Sequence, residues 1–270
     1  MLNTEKRNEN TMHIDKMSTL DMLKAMQKEN LNAVNAVEAA IPDIEKAVDA
    51  AVDSLKKGGR IIYIGAGTSG RLGVVDASEC PPTFGVSPDT VVGVIAGGRD
   101  AMFRSSENKE DSGESGIADV KNINLNKNDI IIGISAAGGA EYVIKALEYA
   151  KSLGCVTVGI TSNKGTMLDI VADISIVTDT GAEVITGSTR MKAGTAQKLI
   201  LNMISTSVMI KMGYVYENLM INLKPSNSKL KKRIVRIVSS ILDVDENEAV
   251  NLLEQVNYDI KEAINLYKGE

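Results

Sequence analysis

The sequence predicts an α/β fold in which a parallel β-sheet is covered by helices on both faces. Short runs that are apolar almost throughout recur along the middle of the chain, and helical patterns fill most of the gaps between them. Strands buried on both faces of a parallel sheet have such continuous apolar runs instead of alternating ones. In folds of this class, ligands bind at the carboxyl ends of the strands.

Five apolar runs predict the strands, and each ends in a turn rich in Gly, Ser or Asn. The predicted strands are residues 60–64, 90–95, 129–134, 155–160 and 174–177. The helical pattern between them is clearest at residues 142–153. Because the turns that follow parallel strands meet at one edge of the sheet, we expect the chemistry to lie in these turns.

Further helices are predicted before and after the sheet. Residues 1–16 predict an irregular polar arm, and apolar spacing over 18–57, broken at Ile41-Pro42, predicts two or three helices. A long helix at about 190–212 is apolar on most sides, so we expect it to be buried. Residues 226–270 predict about three small helices. The predicted domains are 1–50 (arm and helices packing on the core), 51–224 (sheet domain) and 225–270 (small helical bundle).

Composition disfavours several classes of protein. The net charge is −5 and aromatic residues make up 3% of the 270 residues, which argues against a nucleic-acid partner. The first residues do not resemble a signal peptide, and no apolar stretch is long enough to span a bilayer, so we expect a cytoplasmic protein with no membrane partner. His13 is the single histidine, and metal-ligand spacing is absent, so we expect no metal.

The turn after the first strand carries the first candidate site. It reads Gly65-Ala66-Gly67-Thr68-Ser69-Gly70, which fits the G-x-G-x-x-G pattern, but the acidic residue expected after the second strand is absent and Arg99 stands there. Two hydroxyls and the backbone N–H groups of a helix N-terminus favour a phosphomonoester at Thr68, Ser69 and Gly70. A dinucleotide site and a simple tight turn stay open as alternatives.

Two later turns add hydroxyl groups. Residues 135–139 are small and follow the third strand, and Ser135 is the residue among them with a side-chain hydroxyl. This loop and the first one would then bind the same anion. A glycine-rich turn without a ligand is the alternative. Ser188 and Thr189 precede the long helix, so we expect one of them to cap it while the other faces a ligand.

Two glutamates are candidates for acid–base chemistry. Pro81-Pro82 predicts the end of the preceding helix, which would place Glu79 at a helix end near the phosphate loop. Glu110 lies in the acidic segment 105–112. For each glutamate taken alone, a solvated surface position is the alternative.

Residues 64–85 carry a resemblance to a known family. This block includes Asp76-Ala77-Ser78-Glu79-Cys80-Pro81-Pro82-Thr83-Phe84-Gly85 and resembles the N-acetylmuramic acid 6-phosphate etherases. The similarity covers nearly the whole chain, through residues 7–20, 95–98, 110–112, 186–198, 202–206 and 218–220. The block is shared with animal glucokinase regulatory proteins, which are sugar-phosphate sensors.

The resemblance implies a fold, a reaction and roles for residues. It implies a sugar isomerase (SIS) domain with a five-stranded flavodoxin-like sheet, a homodimer without metal or redox cofactor, and a phosphorylated amino sugar as substrate. The implied reaction of cell-wall sugar recycling cleaves the D-lactyl ether by elimination and then hydration. Glu79 matches the family's proton donor and Glu110 its second catalytic acid, the C2 base. The phosphate-binding positions match Thr68, Ser69 and Ser135.

The loop after the third strand departs from the family pattern. The family commonly reads Ser-Ala-Ser-Gly-Arg-Thr-Pro-Tyr, whereas this chain reads Ser135-Ala136-Ala137-Gly138-Gly139-Ala140-Glu141-Tyr142. Because two hydroxyls and an arginine are missing and Glu141 would repel a dianion, we expect weaker affinity or a changed ligand. The altered loop favours a non-catalytic sugar-phosphate regulator, whereas the two glutamates favour a lyase. The block 76–85 argues against a third alternative, a sugar-phosphate isomerase.

Overall fold

The computed structural model describes residues 1–104, 109–225 and 228–269, and its centre is a five-stranded parallel sheet. The order is β2-β1-β3-β4-β5. The strands are β1 (Ile61–Gly65), β2 (Val91–Ile95), β3 (Ile130–Ile134), β4 (Val156–Thr161) and β5 (Ile174–Val177). All five predicted strands are confirmed to within one residue at each end. This order is the flavodoxin-like one, with the chain reversing its direction of winding between β1 and β3.

Seven helices surround or precede this sheet in the described ranges. They are α1 (Thr19–Ala39), α2 (Ile41–Lys56), α3 (Gly67–Phe84), α4 (Gly113–Asn122), α5 (Glu141–Ser152), α6 (Met167–Val171) and α7 (Lys192–Lys211). Of these and the helices that follow, none is long and apolar enough to cross a membrane. The predicted helices at 142–153 and 190–212 are confirmed as α5 and α7.

Alternate residues of β1 face two separate apolar layers. Ile61 and Tyr63 are buried in a layer that draws on α1, α2, α3 and α7. Ile62 and Ile64 are buried in the opposite layer, which draws on α4, α5 and α6. Successive strand residues point to opposite faces, so every residue of β1 and β3 is buried. This double burial explains why both strands are apolar throughout.

The N-terminal region forms two helices and an anchored arm. Pro42 lies in the first turn of α2, where its missing N–H costs no intrahelical bond. The 50/51 division proposed from the sequence falls inside α2, whose buried residues share the apolar layer of the sheet. The arm is irregular apart from short 3₁₀ turns, as predicted, but Thr4, Asn8 and Thr11 are buried.

Helix α3 runs through Pro81-Pro82, so the prediction that these prolines end it is wrong. The fixed φ of proline is compatible with a helix, and only the two N–H groups in the last turns are lost. The helix ends at Phe84, and Gly85 caps it in the left-handed conformation (φ 65°) with its N–H donating to the carbonyl of Pro81.

The C-terminal residues form a three-helix bundle, as predicted. Its helices are α8 (Ser228–Leu242), α9 (Glu246–Gln255) and α10 (Ile260–Lys268). Asp245 and Asp259 cap α9 and α10 by accepting backbone N–H bonds. Ile234, Val238 and Leu253 are fully buried in an apolar cluster made of residues from 219 onward. A short hairpin of β6 (Val215–Tyr216) and β7 (Leu219–Met220) leads into the bundle.

Candidate active site

A cavity of about 270 Å³ lies where the loops after β1 and β3 meet. This is the point at which strand order reverses, and α/β sheets bind ligands there. The lining comprises Glu5, Ala66, Gly67, Thr68, Ser69, Glu110, Ile134, Ser135, Ala136, Ala137, Ala140, Gly187 and Thr189. The two loops therefore converge on one cavity, as the sequence predicted.

The first loop runs directly into the N-terminus of α3. Ala66 is the N-cap residue and its side chain caps nothing, so the first N–H groups of the helix have no side-chain acceptor. Thr68 and Ser69 line the cavity beside these groups. Gly70 is buried behind the loop and does not line the cavity. A Cβ at this position would overlap the carbonyl oxygen of Gly65, so the close approach of helix and loop requires a glycine. This arrangement is suited to a phosphate group.

Gln197 on α7 holds the hydroxyl of Ser69, a contact that the sequence did not reveal. Ser69 Oγ donates to Gln197 Oε1 at 3.0 Å, and within the described residues Gln197 Nε2 has no partner although the side chain is 1% exposed. Turning the Gln197 amide by 180° would let Nε2 donate to Ser69 Oγ and free the hydroxyl proton for a ligand. Gln197 lies within residues 186–198, which resemble the family, but its role is evident only from its contact with Ser69, which is 128 positions away in the chain.

The second loop presents Ser135 as a donor. The backbone N–H of Gly138 donates to Ser135 Oγ at 3.1 Å, which leaves the hydroxyl proton available to a ligand. Ala137 and Ala140 stand where the family commonly has hydroxyls, and both line the cavity. Glu141 is exposed at the start of α5 and does not line it, so the expected repulsion from inside the cavity is not supported.

Glu110 is the candidate acid–base residue that the fold brings to the cavity. It lies three residues before α4, and its carbonyl accepts the N–H of Tyr142 at 2.9 Å, which fixes its backbone beside α5. Its side chain is exposed and lines the cavity. The first half of its acidic segment, residues 105–108, lies outside the described residues.

Glu79 lies away from the cavity of its own chain, so its predicted location near the phosphate loop is wrong. It follows Gly67 by twelve residues on one continuous helix, which separates the two by about 18 Å along the axis. Helix α3 joins two parallel strands and must carry the chain back to the opposite edge of the sheet. The carboxylate is exposed there.

Thr189 lines the cavity and Ser188 does not. The sequence predicted that one of them would cap the long helix, but neither does. Helix α7 begins later, at Lys192, and the buried carboxylate of Glu183 accepts the N–H groups of Lys192 (3.0 Å) and Ala193 (2.9 Å). The carboxylate accepts two otherwise free N–H groups, and its negative charge interacts favourably with the positive end of the helix dipole. It therefore takes the place of the expected hydroxyl cap.

A buried polar cluster joins α3 to β1 and α7. Asp76 accepts hydrogen bonds from Tyr63 Oη (3.1 Å), Asn202 Nδ2 (2.6 Å) and Ser205 Oγ (3.3 Å). Burial first, and the Asp76 charge second, raise the pKa of the Cys80 thiol to about 12. Cys80 is therefore a neutral core residue at physiological pH, and the cluster holds the helix that begins at the phosphate loop.

Comparison with known proteins gives the relatives of this chain. Residues 43–151 match the model of the glucokinase regulatory protein N-terminal SIS domain, and residues 109–207 match the SIS domain model. N-acetylmuramic acid 6-phosphate etherase 1 of Bacillus licheniformis is 52% identical, and the match covers 99% of this chain and 88% of that protein. The etherase of Caldanaerobacter subterraneus subsp. tengcongensis is 52% identical, with 99% and 87% covered.

A solved structure supports the fold. The chain is similar to a phosphoheptose isomerase from Francisella tularensis, with a TM-score of 0.53 and 21% identity over 72% of this chain and 100% of that one. At this identity the likeness is one of fold alone.

Proposed function

This chain belongs to the N-acetylmuramic acid 6-phosphate etherases, and from that membership we propose how its own residues perform the reaction. It is a carbon–oxygen lyase that converts N-acetylmuramic acid 6-phosphate and water to N-acetylglucosamine 6-phosphate and D-lactate, a step of cell-wall sugar recycling. The cavity that joins a phosphate-type loop to Glu110, in a chain 52% identical to etherases over 99% of its length, carries this conclusion. A non-catalytic regulator is not favoured. We place the reaction in the cytoplasm.

The 6-phosphate is held by neutral donors. The N–H groups at the start of α3, with the hydroxyls of Thr68 and Ser69, face the same cavity as the Ser135 hydroxyl. A helix N-terminus carries a partial positive charge, so it stabilises a dianion without a lysine or arginine. The alanines at 137 and 140 remove two further donors, so we expect weaker phosphate affinity than in relatives that retain hydroxyls at these positions.

Glu110 is the base that starts the elimination. The sugar opens to its aldehyde, and the carboxylate of Glu110 takes the proton from C2. The electron pair then forms the C2–C3 double bond while the C3–O bond breaks and lactate leaves. Water adds to C3 of the unsaturated aldehyde and a proton returns to C2. Glu110 fits the base role because its backbone is fixed by Tyr142 while its carboxylate stays in the cavity.

Glu79 supplies the proton to the departing lactyl oxygen in the cavity of a second copy of the chain. The roughly 18 Å of helix between Gly67 and Glu79 keeps this carboxylate out of the cavity of its own chain. A homodimer in which α3 of one copy faces the cavity of the other resolves the separation. The site is incomplete without the second copy.

Exposed apolar residues support this homodimer. Val75 lies one helical turn before Glu79 on the same face of α3 and is 51% exposed. Helix α1 exposes Leu20, Leu23, Leu31 and Val34, each more than half exposed, at the spacing of one helix face. Apolar faces of this extent usually pack against another protein surface, and a second copy is the occupant that also delivers Glu79.

The release of D-lactate tests the proposed function. Purified protein is incubated with N-acetylmuramic acid 6-phosphate, and D-lactate is measured enzymatically over time. We expect turnover by the wild type and a loss of at least about a hundredfold in kcat for Glu110→Gln, which keeps the shape of the side chain but removes the base. Glu114→Gln, an exposed change on α4, is the control and should leave kcat unchanged. Folded wild-type protein that releases no lactate would refute the proposal.

A further inference from the structure

A second carboxylate of the same chain, Glu5, reaches the cavity from the N-terminal arm. Glu5 lines the cavity together with Glu110, although the two are 105 positions apart in the chain. Its Oε2 lies 3.2 Å from the point where a Cβ on Gly187 would stand, which places the carboxylate on the Gly187 side of the cavity. The proposed reaction assigns no role to this carboxylate.

The arm before Glu5 is pinned to the sheet domain. Thr4 is fully buried, its N–H donates to Asn163 Oδ1 at 3.4 Å, and Asn163 Nδ2 donates to Thr4 Oγ1 at 3.0 Å. Asn3 Nδ2 donates to Asp179 Oδ2 at 2.8 Å. Asn163 also donates to the carbonyl of Ala136, a residue of the cavity lining, at 3.0 Å. The position of Glu5 is therefore tied to the second loop.

The arm after Glu5 is pinned as firmly. Asn8 Nδ2 donates to Glu29 Oε2 at 2.8 Å and to the carbonyl of Ala182 at 3.0 Å. Glu29 forms an ion pair of 2.6 Å with Lys192, and both side chains are buried. Thr11 Oγ1 donates to the carbonyl of Val184 at 2.8 Å. With anchors on both sides, the exposed Glu5 carboxylate is held at the cavity instead of moving with a free terminus.

The charges of the lining determine what Glu5 can bind. Among the described lining residues, the ionisable side chains are Glu5 and Glu110, and none is a lysine or arginine. A carboxylate repels a phosphate dianion, so the phosphate lies at the N-terminus of α3 and not beside Gly187. The part of a sugar that faces Glu5 must then be uncharged and carry hydrogen-bond donors, since an ionised carboxylate only accepts hydrogen bonds.

We propose that Glu5 is a specificity-determining residue whose carboxylate accepts hydrogen bonds from uncharged donors of the bound amino sugar, its hydroxyls or its acetamido N–H. Glu5 thereby selects for the sugar part of the ligand, while α3 and Ser135 select for the phosphate. This inference rests on the proposed function for the identity of the sugar, and it extends the binding site to the arm.

Calorimetric binding to the full chain tests the inference with two ligands, N-acetylglucosamine 6-phosphate and inorganic phosphate. For Glu5→Ala we expect the Kd of the sugar phosphate to rise about tenfold, because one charge-assisted hydrogen bond is lost. The Kd of inorganic phosphate should stay unchanged or fall, because a repelling charge is removed. Glu9→Ala, an exposed change on the same arm outside the cavity, should change neither Kd.

Comparing the Kd changes of the two ligands distinguishes a direct contact between Glu5 and the sugar from a general disturbance of the site. A Kd for the sugar phosphate that is unchanged in Glu5→Ala, or an equal weakening of both ligands, overturns the inference. So does wild-type protein that binds the sugar phosphate no more tightly than inorganic phosphate. Binding needs no turnover, so wild type that shows the expected split but releases no lactate refutes the proposed function alone. Equal thermal midpoints for wild type, Glu5→Ala and Glu9→Ala show that the arm stays folded.

Discussion

At the scale of single residues, the hydroxyls that line the cavity are not equivalent. The proton of Ser69 reaches a ligand only when the Gln197 amide is turned, whereas Ser135 accepts a backbone N–H and keeps its proton for a ligand. Thr189 faces the cavity, and its neighbour Ser188 does not. Ser135 is therefore the side chain with the clearest role as a phosphate donor.

Removing the Ser135 hydroxyl should weaken substrate binding. For Ser135→Ala we expect KM for N-acetylmuramic acid 6-phosphate to rise about tenfold or more with kcat little changed, since a hydrogen bond to a charged group contributes about 1.5–3 kcal/mol. Ser188→Ala is the matched control and should leave KM within about twofold. Steady-state lactate kinetics measure both. Equal KM values for the two variants would show that Ser135 does not contact the phosphate.

The sequence predicted the cavity residues that follow strands, and the candidates Glu110 and Thr189 also line the cavity, but two side chains from distant parts of the chain were missed. Thr68, Ser69 and Ser135 come directly after β1 and β3, so the strand pattern alone located them. Glu5 lines the cavity, and Gln197 contacts Ser69 behind it, through approaches that span more than a hundred residues. Spacing along the chain carries no signal for such contacts.

At the scale of elements, α3 depends on how it ends. Gly85 adopts φ 65°, and a Cβ there would overlap the carbonyl oxygen of Asn222, whose side chain donates to the carbonyl of Phe84 at 2.7 Å. The prediction that Pro81-Pro82 ends the helix failed because the stop signal is this glycine. The extra turn places Glu79 inside α3 instead of at its end.

Substitution of Gly85 should destabilise the protein by more than its backbone angle explains. Gly58 has φ 75° and open space around its Cβ position, so Gly58→Ala should cost only the left-handed conformation, about 1–2 kcal/mol. Gly85→Ala adds the overlap with Asn222 and should cost about 1–3 kcal/mol more. Urea denaturation gives both values. Equal losses of stability for the two variants would contradict the close approach of Asn222.

The arm, α1 and α7 are joined by one buried ion pair. Burial alone would raise the pKa of Glu29, but the hydrogen bonds from Lys192, Asn10 and Asn8 hold it below its usual value of 4.5. A carboxyl with a lowered pKa adds stability that is present above its unfolded value and is lost as pH falls through the folded value. The pair should therefore weaken below pH 4.5.

Neutralising Glu29 should be costly at neutral pH and less so in acid. Glu29→Gln leaves Lys192 buried without its counter-charge, which should cost about 3–5 kcal/mol at pH 7. In acid well below pH 4.5 the wild-type carboxyl becomes protonated, so the difference between wild type and variant should shrink. Glu38→Gln, an exposed change on the same helix, should change little at either pH. A Glu29→Gln penalty that is the same at both pH values, by urea denaturation, would contradict this role.

At the scale of the whole molecule, the sheet was predictable and the complete site was not. Continuous apolar runs predicted all five strands, and the two central ones, β1 and β3, are buried along their whole length. Glu79 lies about 18 Å along α3 from Gly67, and the role proposed for it requires a second copy of the chain. Local sequence patterns carry no signal for either. The resemblance named Glu79 and Glu110 together, whereas the fold puts only Glu110 in the cavity of its own chain.

A heterodimer of two inactive variants tests the shared site most directly. Chains carrying Glu79→Gln and Glu110→Gln are co-expressed with different affinity tags, purified through both tags, and assayed for D-lactate release. Each variant alone should be inactive. The heterodimer keeps one site with Glu110 of one chain and Glu79 of the other, so it should show about half of the wild-type activity per dimer. A heterodimer as inactive as either variant alone, from folded protein, would contradict an active site shared between two copies.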